Sequence, residues 1–319
     1  MLTEMAVPEH LIVFIRNLYA DSSSTVRLQD EETAAFDSAR GVRQGCILSP
    51  ILFNIYGEHV MRGWGGGFRI GGRNINNLRF ADDTTLCAQS IPEMEELLER
   101  VESESRALGL TINEAKTKVM IIDRGDRLSV RDGLKKYERV DRFVYLGSLI
   151  ENKGGSEAEI RRRIALARDA TVKLTTIWKD RYISRSTKMK LLRTLVLPVF
   201  LYGAETWTIK EADRKRIDAF EMWAYRRMLR ISWVEKRTNA SILCALGVKN
   251  RLSQICYQRI MQFFGHITRR PGENLEKLVV QGKVEGERRR GRSPARWLDQ
   301  VERHGKPEPG QPRTAEHGA

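Results

Sequence analysis

The chain has 319 residues, 41% of them hydrophobic, and six Trp, which is enough for two domains with hydrophobic cores and excludes a wholly disordered protein. The formal net charge is +14, an excess that favours a polyanionic partner, either nucleic acid or an anionic membrane face. The charge is unevenly distributed, because residues 1–150 contain 19 Lys and Arg against 22 Asp and Glu, whereas residues 151–319 contain 36 against 19.

The sequence contains no recognisable membrane anchor, disulfide framework or zinc ribbon. Its longest apolar stretch, Leu195 to Tyr202, is far shorter than the ~20 residues that span a bilayer, and it includes Pro198. The four cysteines form no C-x-x-C pair, and no secretory signal precedes them. We therefore expect free thiols, no membrane partner, and a nuclear or cytoplasmic location rather than secretion.

Helical and strand-like patterns alternate at the start of the chain. A short helix is predicted over residues 9–20, and a second helix of about ten to thirteen residues is predicted with Ser49 as N-cap and Pro50 as its first residue. Two short strand pairs follow, with turns at Gly71-Gly72 and at Ala81 to Asp83. These two pairs predict two consecutive β hairpins.

The clearest helix of the first half begins at a capping-box pattern and is followed by further strands. Ser90 and Glu93 form the pattern, and apolar residues recur at helical spacing until Gly109. A strand is predicted for "KVMIID", and a strand pair or turn for "RFVYLGSLI". Helices mixed with antiparallel hairpins predict an α+β domain that ends near residue 150.

The second half is predicted to be mostly helical and basic. One apolar stripe runs from Ile160 to Trp178, and further helices are predicted over residues 186–197 and 211–229. Trp223 and Tyr225 lie among arginines, a mixture suited to phosphate contact with stacking, although aromatic residues at helical spacing are more often part of a core. The Arg-, Gly- and Pro-rich segment from about residue 283 is predicted to be loosely ordered. The candidate nucleic-acid-binding residues are Arg161, Arg162, Arg163, Arg214, Lys215, Arg216, Arg226, Arg227, Arg288, Arg289, Arg290 and Arg292.

Two adjacent aspartates, Asp82 and Asp83, lie in the motif "FADD" at the second hairpin. Asp is a common turn residue, so the pair by itself is explained by turn formation. The motif is preceded, however, by "GVRQGCILSPILFN" and followed, after one helix, by "GLTINEAKTKVM" and "FVYLGSLI". This ordered set resembles the reverse transcriptase domain of non-LTR (LINE) retrotransposons, most closely the RTE-like endonuclease-reverse transcriptase proteins.

The resemblance implies a partial polymerase palm, consisting of antiparallel hairpins plus helices, followed by a mostly helical basic thumb and C-terminal region. The four motifs match the family's motifs B, C, D and E in that order along the chain. "LYGAETW", "FGHITR" and "RRRGRSPARWLD" resemble its thumb and C-terminal extension. The implied domains are a palm over residues 1–150, a thumb over 151–235 and a basic extension over 236–319.

The resemblance also implies roles for individual residues. Asp82 and Asp83 would hold two Mg²⁺ ions, because hard cations bind carboxylate oxygens and phosphoryl transfer needs both ions. Lys116 matches a lysine proposed to protonate the departing pyrophosphate, with a solvent-facing lysine as the alternative. The implied substrate-binding residues are Gln44, Gly45, Phe80 and Ala81, and the implied primer grip is Tyr145, Leu146 and Gly147.

The expected activity is RNA-directed DNA synthesis on an RNA template with a DNA primer, an RNA–DNA hybrid product and deoxynucleoside triphosphates. The family's motif A aspartate and its fingers have no counterpart in the sequence, since Asp37 in "AAFDSA" precedes Gly41 too closely. We therefore expect an N-terminally truncated and inactive polymerase with an incomplete Mg²⁺ site. The alternatives are a non-catalytic nucleic-acid-binding remnant and a gene fragment with no selected role.

Overall fold

The computed structural model describes residues 1–20, 22–28, 31–38, 41–122, 134, 136–282 and 296–304. Its described residues combine helices with small two-stranded sheets, most of them antiparallel, which confirms the expected mixture of helices and hairpins. The chain forms two compact units, one made of Met1–Asn113 and Val130–Leu134, the other of Glu114–Ser129 and Lys135–Ala319.

The first unit contains three helices and four small hairpin-like strand pairs in its described residues. The helices are α1 (Glu9–Tyr19), α2 (Ser49–Met61) and α3 (Ile91–Ala107). The strands are β1 (Ser23–Ser24), β2 (Arg27–Leu28), β3 (Glu31–Glu32), β4 (Phe36–Asp37), β5 (Phe68–Ile70), β6 (Arg73–Ile75), β7 (Asn77–Phe80) and β8 (Asp83–Leu86). β1 pairs with β4, β2 with β3, β5 with β6, and β7 with β8, all antiparallel.

The N-terminal caps of α2 and α3 differ from each other in their chemistry. Ser90 caps α3 as predicted, since its hydroxyl accepts a hydrogen bond from the Glu93 N–H at 3.3 Å. The prediction that Ser49 caps α2 is wrong, because Leu48 occupies the N-cap position and Ser49 is already helical. The Ser49 hydroxyl instead donates to the carbonyl oxygen of Arg43 at 2.5 Å. This bond joins the start of α2 to the preceding turn.

The second unit is mostly helical, as predicted. Its strands are β9 (Lys118–Val119), β10 (Glu138–Arg139), β11 (Arg142–Tyr145) and β12 (Ser148–Glu151), with β9 and β10 parallel and β11 and β12 antiparallel. Its helices are α4 (Glu157–Lys173), α5 (Thr175–Lys179), α6 (Arg185–Leu191), α7 (Leu197–Leu201), α8 (Glu211–Leu229), α9 (Asn239–Ala245), α10 (Leu252–Arg269), α11 (Leu275–Gln281) and α12 (Trp297–His304). The strand predicted for "KVMIID" is therefore only two residues long.

The hydrophobic core of the second unit is built on the predicted apolar stripe of α4 and α5. Ile160, Ala167 and Trp178 are almost completely buried, and they pack with residues of α6, α7, α8 and α10. Phe200 and Phe220 lie at the centre, with ring centroids 5.4 Å apart. Burial of large aromatic and aliphatic side chains of this kind is the main stabilising contribution to a helical unit.

A π-helical turn, which is wider than an α-helical turn, joins α6 to α7 over Leu192–Val196. Pro198 follows at the start of α7, and proline has no N–H to donate to a helical hydrogen bond. The N–H of Leu197 bonds instead to the carbonyl of Leu192, five residues earlier. The wide turn thus lets the helical run continue past Pro198, which is exposed beside the buried residues Leu197 and Phe200.

The last described helix, α12, is attached to the second unit by a buried amide. The Gln300 side-chain oxygen accepts from the Ile209 N–H at 3.0 Å, and its NH₂ group donates to the Trp207 carbonyl. This is the pair of bonds that a neighbouring β strand would supply to an extended segment. Trp297 adds a hydrogen bond from its indole N–H to the Glu205 carbonyl at 2.9 Å. The segment predicted as loosely ordered from about residue 283 lies outside the described residues, apart from 296–304.

Replacing Gln300 with Leu should destabilise the second unit and release α12. The substitution leaves two buried backbone groups of Trp207 and Ile209 without partners, at about 1–3 kcal/mol for each group. Urea unfolding followed by Trp fluorescence measures the loss. Glu302→Leu is the matched control, because Glu302 is exposed on the same helix. Equal stability of the two variants would contradict the assigned role of the Gln300 amide.

Candidate functional site

The hairpin that carries the two aspartates has a two-residue turn. Phe80 and Asp83 are opposite each other in the antiparallel pair, so the turn consists of Ala81 and Asp82 alone. The prediction that Asp83 belongs to the turn is therefore wrong, since it is the first residue of β8. Ala81 has a φ of 51°, a left-handed conformation that residues with a Cβ adopt only at a cost of about 1–2 kcal/mol. The two carboxylates thus project from a tightly constrained backbone.

The opposite end of this hairpin is fixed to α2 and α3. Leu86 packs against the small core formed by Val60, Met61 and Leu97. Arg79 of β7 donates to a carboxylate oxygen of Glu58 on α2 at 2.7 Å. Leu86 thus holds the open end of the hairpin, Arg79 holds β7 one residue pair from the turn, and the side chains at the turn extend into solvent.

Asp82 and Asp83 are both exposed at this tip. Among the residues that the structure describes, neither carboxylate has a hydrogen bond or ion pair with the protein. Carboxylate oxygens of this kind are suitable ligands for a hard divalent cation. The described residues contain no group of three or more His, Cys, Asp or Glu side chains that could hold a metal ion. The pair therefore fits part of a metal site and does not by itself fit a complete two-ion site.

The other residues predicted to act with the hairpin lie in two different units. Gln44 and Gly45 are exposed in the turn before α2, and Phe80 is 63% exposed beside Ala81. Gly45 has a φ of 79°, and a Cβ added there would meet open space. The glycine is thus required by the backbone conformation rather than by a close neighbour. Lys116 is exposed in a turn that belongs to the second unit.

The predicted primer-grip residues form the turn between β11 and β12. Tyr145 pairs with Ser148, so Leu146 and Gly147 are the two turn residues, with φ angles of 45° and 78°. A positive φ is unusual for a residue as large as Leu. The Leu146 carbonyl accepts a hydrogen bond from the Tyr202 hydroxyl at 2.7 Å. A contact from outside the hairpin thus supports its strained turn.

A buried ion pair on α4 holds the same turn from the other side. The Arg163 guanidinium donates to a carboxylate oxygen of Glu159 at 2.6 Å and also bonds to the Gly147 carbonyl. The second Glu159 oxygen accepts from the Leu149 N–H of β12 at 3.0 Å. Arg163 also lies over the Tyr202 ring, 4.4 Å from its centroid. Both charged groups therefore have several partners inside the unit.

Arg161, Arg162 and Arg163 have different environments although they are consecutive. Arg161 is exposed and donates to Glu157 at 2.6 Å. Arg162 is partly exposed and bonds to Glu159 and to the Gly147 carbonyl, each at 3.2 Å. Arg163 is 7% exposed. Only Arg161 and part of Arg162 are accessible to a ligand from solvent.

The basic residues at the start of α8 are largely neutralised by acidic neighbours. Arg214 donates to Glu211 at 2.6 Å and to Asp218 at 3.1 Å, and the hydrogen bond from Arg214 lowers the pKa of Glu211. Arg216 donates to Asp213 at 2.8 Å. These exposed or half-exposed pairs contribute little to stability, but they reduce the positive potential at this end of the helix.

The basic residues at the end of α8 have neutral partners instead. Arg226 donates to the Arg237 carbonyl at 3.0 Å, and Arg227 donates to the Thr175 hydroxyl at 3.5 Å. Tyr225, predicted as a possible stacking residue, is buried, and burial raises its pKa. Trp223 is only half-buried and remains accessible at the surface. Lys215 is exposed, and the predicted residues Arg288, Arg289, Arg290 and Arg292 lie outside the described part of the chain.

Comparison with known proteins identifies the family of this chain. Residues 1–150 match the family model described as reverse transcriptase (RNA-dependent DNA polymerase). A transposon-derived protein of Caenorhabditis elegans is 30% identical over 244 residues, which cover 73% of this chain and 86% of that protein. The chain belongs to the reverse transcriptase family of non-LTR retrotransposons.

The chain is also similar to parts of two longer retrotransposon polyproteins. The R2DM retrotransposable-element Pol polyprotein of Drosophila melanogaster is 23% identical over 237 residues, or 70% of this chain. The R2 Pol polyprotein of Popillia japonica is 25% identical over 67% of this chain. The match spans only 22% of the first polyprotein and 32% of the second. Within the described residues of the reverse transcriptase chain, no helix is long and apolar enough to cross a membrane.

Two residues that organise the reverse transcriptase chain are absent from the sequence-based candidates. Glu159 and Tyr202 hold the turn of the predicted primer grip, yet neither was a candidate. The spacing of Glu159 and Arg163, four residues apart on a predicted helix, is a usable signal for an ion pair. The Tyr202 contact had no local signal, because its partner lies 56 residues away.

Replacing Glu159 with Gln should loosen the turn of Leu146 and Gly147. The substitution leaves the Arg163 charge buried without its counter-ion, which is expected to cost about 3–5 kcal/mol. Thermal unfolding measures the loss, and amide hydrogen exchange of the peptide containing Leu149 measures the local opening. The control is Glu157→Gln, which removes a partly exposed partner of Arg161 and Arg216 and should cost less than about 1 kcal/mol. Normal exchange at Leu149 in Glu159→Gln would refute the proposed anchor.

Proposed function

We propose that this chain is the part of a retrotransposon reverse transcriptase that carries the catalytic hairpin and the nucleic-acid-binding helices. The observation that carries the proposal is the tip of the β7–β8 hairpin, where Asp82 and Asp83 are exposed, adjacent and free of protein partners in the described structure. Two like charges at one constrained hairpin tip repel each other, and a bound cation converts that repulsion into attraction. The activity of the family to which the chain belongs supports this assignment.

The proposed organisation follows the family: a palm over residues 1–150, a thumb over 151–235 and a basic extension over 236–319. Asp82 and Asp83 supply part of the ligand set for Mg²⁺, which contributes Lewis-acid stabilisation of phosphoryl transfer when it is bound. Lys116 is proposed as the proton donor to pyrophosphate. Gln44, Gly45, Phe80 and Ala81 are proposed to contact the deoxynucleoside triphosphate, in a nuclear or cytoplasmic setting.

The proposed partners of the second unit are an RNA template, a DNA primer and their hybrid. The excess of basic residues in residues 151–319 supports phosphate contact. We do not include Arg163 among the proposed nucleic-acid-binding residues, because its guanidinium is already bonded inside the unit. Tyr145, Leu146 and Gly147 remain the proposed primer grip, and the ion pair of α4 would keep their turn rigid.

The 319-residue chain, assayed alone, should not extend a DNA primer on an RNA template with Mg²⁺ or Mn²⁺. Two-ion catalysis needs ligands for both ions, and the described residues supply only two neighbouring carboxylates at the hairpin. Each 1.36 kcal/mol of lost transition-state stabilisation lowers the rate about tenfold. Gel analysis of the labelled primer measures extension, with Asp82→Asn/Asp83→Asn as the matched control.

Extension by the unmodified chain but not by the double variant would contradict the expected inactivity. A further carboxylate would then have to complete the site, and Asp37 would be the first candidate.

Mn²⁺ titration of the same two proteins tests the metal assignment separately. The amide resonances of Phe80 to Thr84 should broaden in the unmodified chain and not in the double variant. Broadening centred elsewhere would favour an ordinary turn without a metal.

A second candidate function, nucleic-acid binding without catalysis, is favoured by the same incomplete ligand set. Either candidate requires the full chain to bind an RNA–DNA hybrid with an affinity that falls steeply with salt. The expected slope is about one log unit of binding constant per log unit of salt for each phosphate contacted. Fluorescence anisotropy across a salt series measures it. Binding that does not depend on salt would show that the basic half is not a phosphate-binding surface.

A further inference from the structure

A basic cavity of about 420 Å³ lies in the second unit between α5 and the last turns of α8. Lys179, Arg226, Arg227 and Arg230 line it, and the lining includes no acidic residue. Trp223 forms part of the same wall. The volume falls within the range of roughly 300–1,000 Å³ that is typical of ligand pockets. Basic side chains and an aromatic ring therefore line the same concave site.

The three arginines of this cavity keep most of their hydrogen-bonding capacity. A guanidinium has five N–H donors. In the described structure Arg226, Arg227 and Arg230 each bond to one neutral oxygen, those of Arg237, Thr175 and Lys179, at 3.0, 3.5 and 3.3 Å. None forms an ion pair with a carboxylate in the described part of the chain.

The end of a helix offers a simpler explanation for some of this charge. The C-terminus of a helix attracts cations, and Arg230 also caps α8 in a left-handed conformation with a φ of 57°. That effect accounts for single cations in the last turn of a helix. It does not account for a cavity in which cations of two helices converge without an acidic partner. An anion is the group that would satisfy the remaining donors.

The Trp223 indole gives the site a second kind of chemistry. Its ring lies 6.3 Å from the buried Phe220 ring at an interplanar angle of 26°, so the core supports it on that side. The guanidinium groups of Arg168 and Arg227 lie 5.3 and 5.9 Å from the ring centroid. A supported aromatic ring beside phosphate-binding arginines is suited to stack on a base.

We propose that this cavity binds one nucleotide of a single-stranded nucleic acid, with its phosphate at Arg226, Arg227 and Arg230 and its base against Trp223. This inference rests on the proposed function, since it specifies where and how the basic half binds nucleic acid. A single strand is favoured because the bases of a duplex are already stacked and cannot reach a ring inside a cavity. The site would hold template that has not yet paired, or a displaced strand.

The test uses the full chain with labelled oligonucleotides of equal length, one single-stranded and one a blunt duplex, in fluorescence anisotropy. Arg227→Gln should weaken single-strand binding about fivefold and reduce the salt slope by about one. Arg269→Gln is the matched control, because Arg269 is exposed on α10 and does not line the cavity. Its effect should be below about twofold.

Trp223→Leu should weaken single-strand binding about tenfold while leaving duplex binding and the salt slope unchanged. Trp223→Phe keeps an aromatic ring and should lose less, and circular dichroism confirms that both variants are folded. If Trp223→Leu does not fold, base stacking is tested instead by competition experiments on the unmodified chain. A nucleoside monophosphate should then displace the labelled single strand better than inorganic phosphate at the same ionic strength.

Equal effects of Arg227→Gln and Arg269→Gln would overturn the cavity as the binding site. Equal effects of Trp223→Leu on single strand and duplex, or equal displacement by nucleotide and phosphate, would overturn base stacking there. In each of these results the unmodified chain still binds nucleic acid, so the proposed function stands. Absence of any binding by the unmodified chain would instead overturn the proposed function, and this inference with it.

Discussion

The buried ion pair between Glu159 and Arg163 is the interaction on which the organisation of the second unit depends. Burying two charges is costly unless every donor and acceptor finds a partner, and here the partners come from the hairpin turn, β12 and α7. The pair therefore links a strained two-residue turn to the helical core. Tyr202 completes the arrangement by bonding to the Leu146 carbonyl and by covering the Arg163 guanidinium. These bonds can keep even a two-residue turn in a fixed conformation.

The basic surfaces at the two ends of α8 differ in whether their arginines form ion pairs with carboxylates, rather than in net charge. At the start of α8 each of two arginines is matched by carboxylates, so the local potential is low. At the end of the same helix the arginines bond only to neutral oxygens and surround a cavity. A positive charge without a counter-ion attracts phosphate, whereas a neutralised one does so weakly. The end of α8 is thus a better candidate for nucleic-acid contact than its beginning.

The β7–β8 hairpin of the first unit is attached to α2 and α3 and has an exposed tip. Leu86 and the Arg79–Glu58 bond anchor the strands to α2 and α3, while the turn holds Ala81 in an unfavourable conformation. Strain of this kind is common where side chains must be aimed precisely at a ligand. The exposed, unpaired carboxylates of Asp82 and Asp83 are consistent with a site that needs further ligands before it can hold metal ions tightly.

The sequence by itself determined the family, the two-part charge distribution and the long helices, because motifs, caps and periodicity are local properties. α8 occupies the predicted residues 211–229, and Ser90 caps α3, since neither feature depends on distant partners. Only the tertiary structure decided which members of "RRR" are accessible and that Tyr225 belongs to the core. Arg163 is buried because Gly147, 16 residues earlier, and Tyr202, 39 residues later, converge on it. Such convergence arises from packing and leaves no local pattern in the chain.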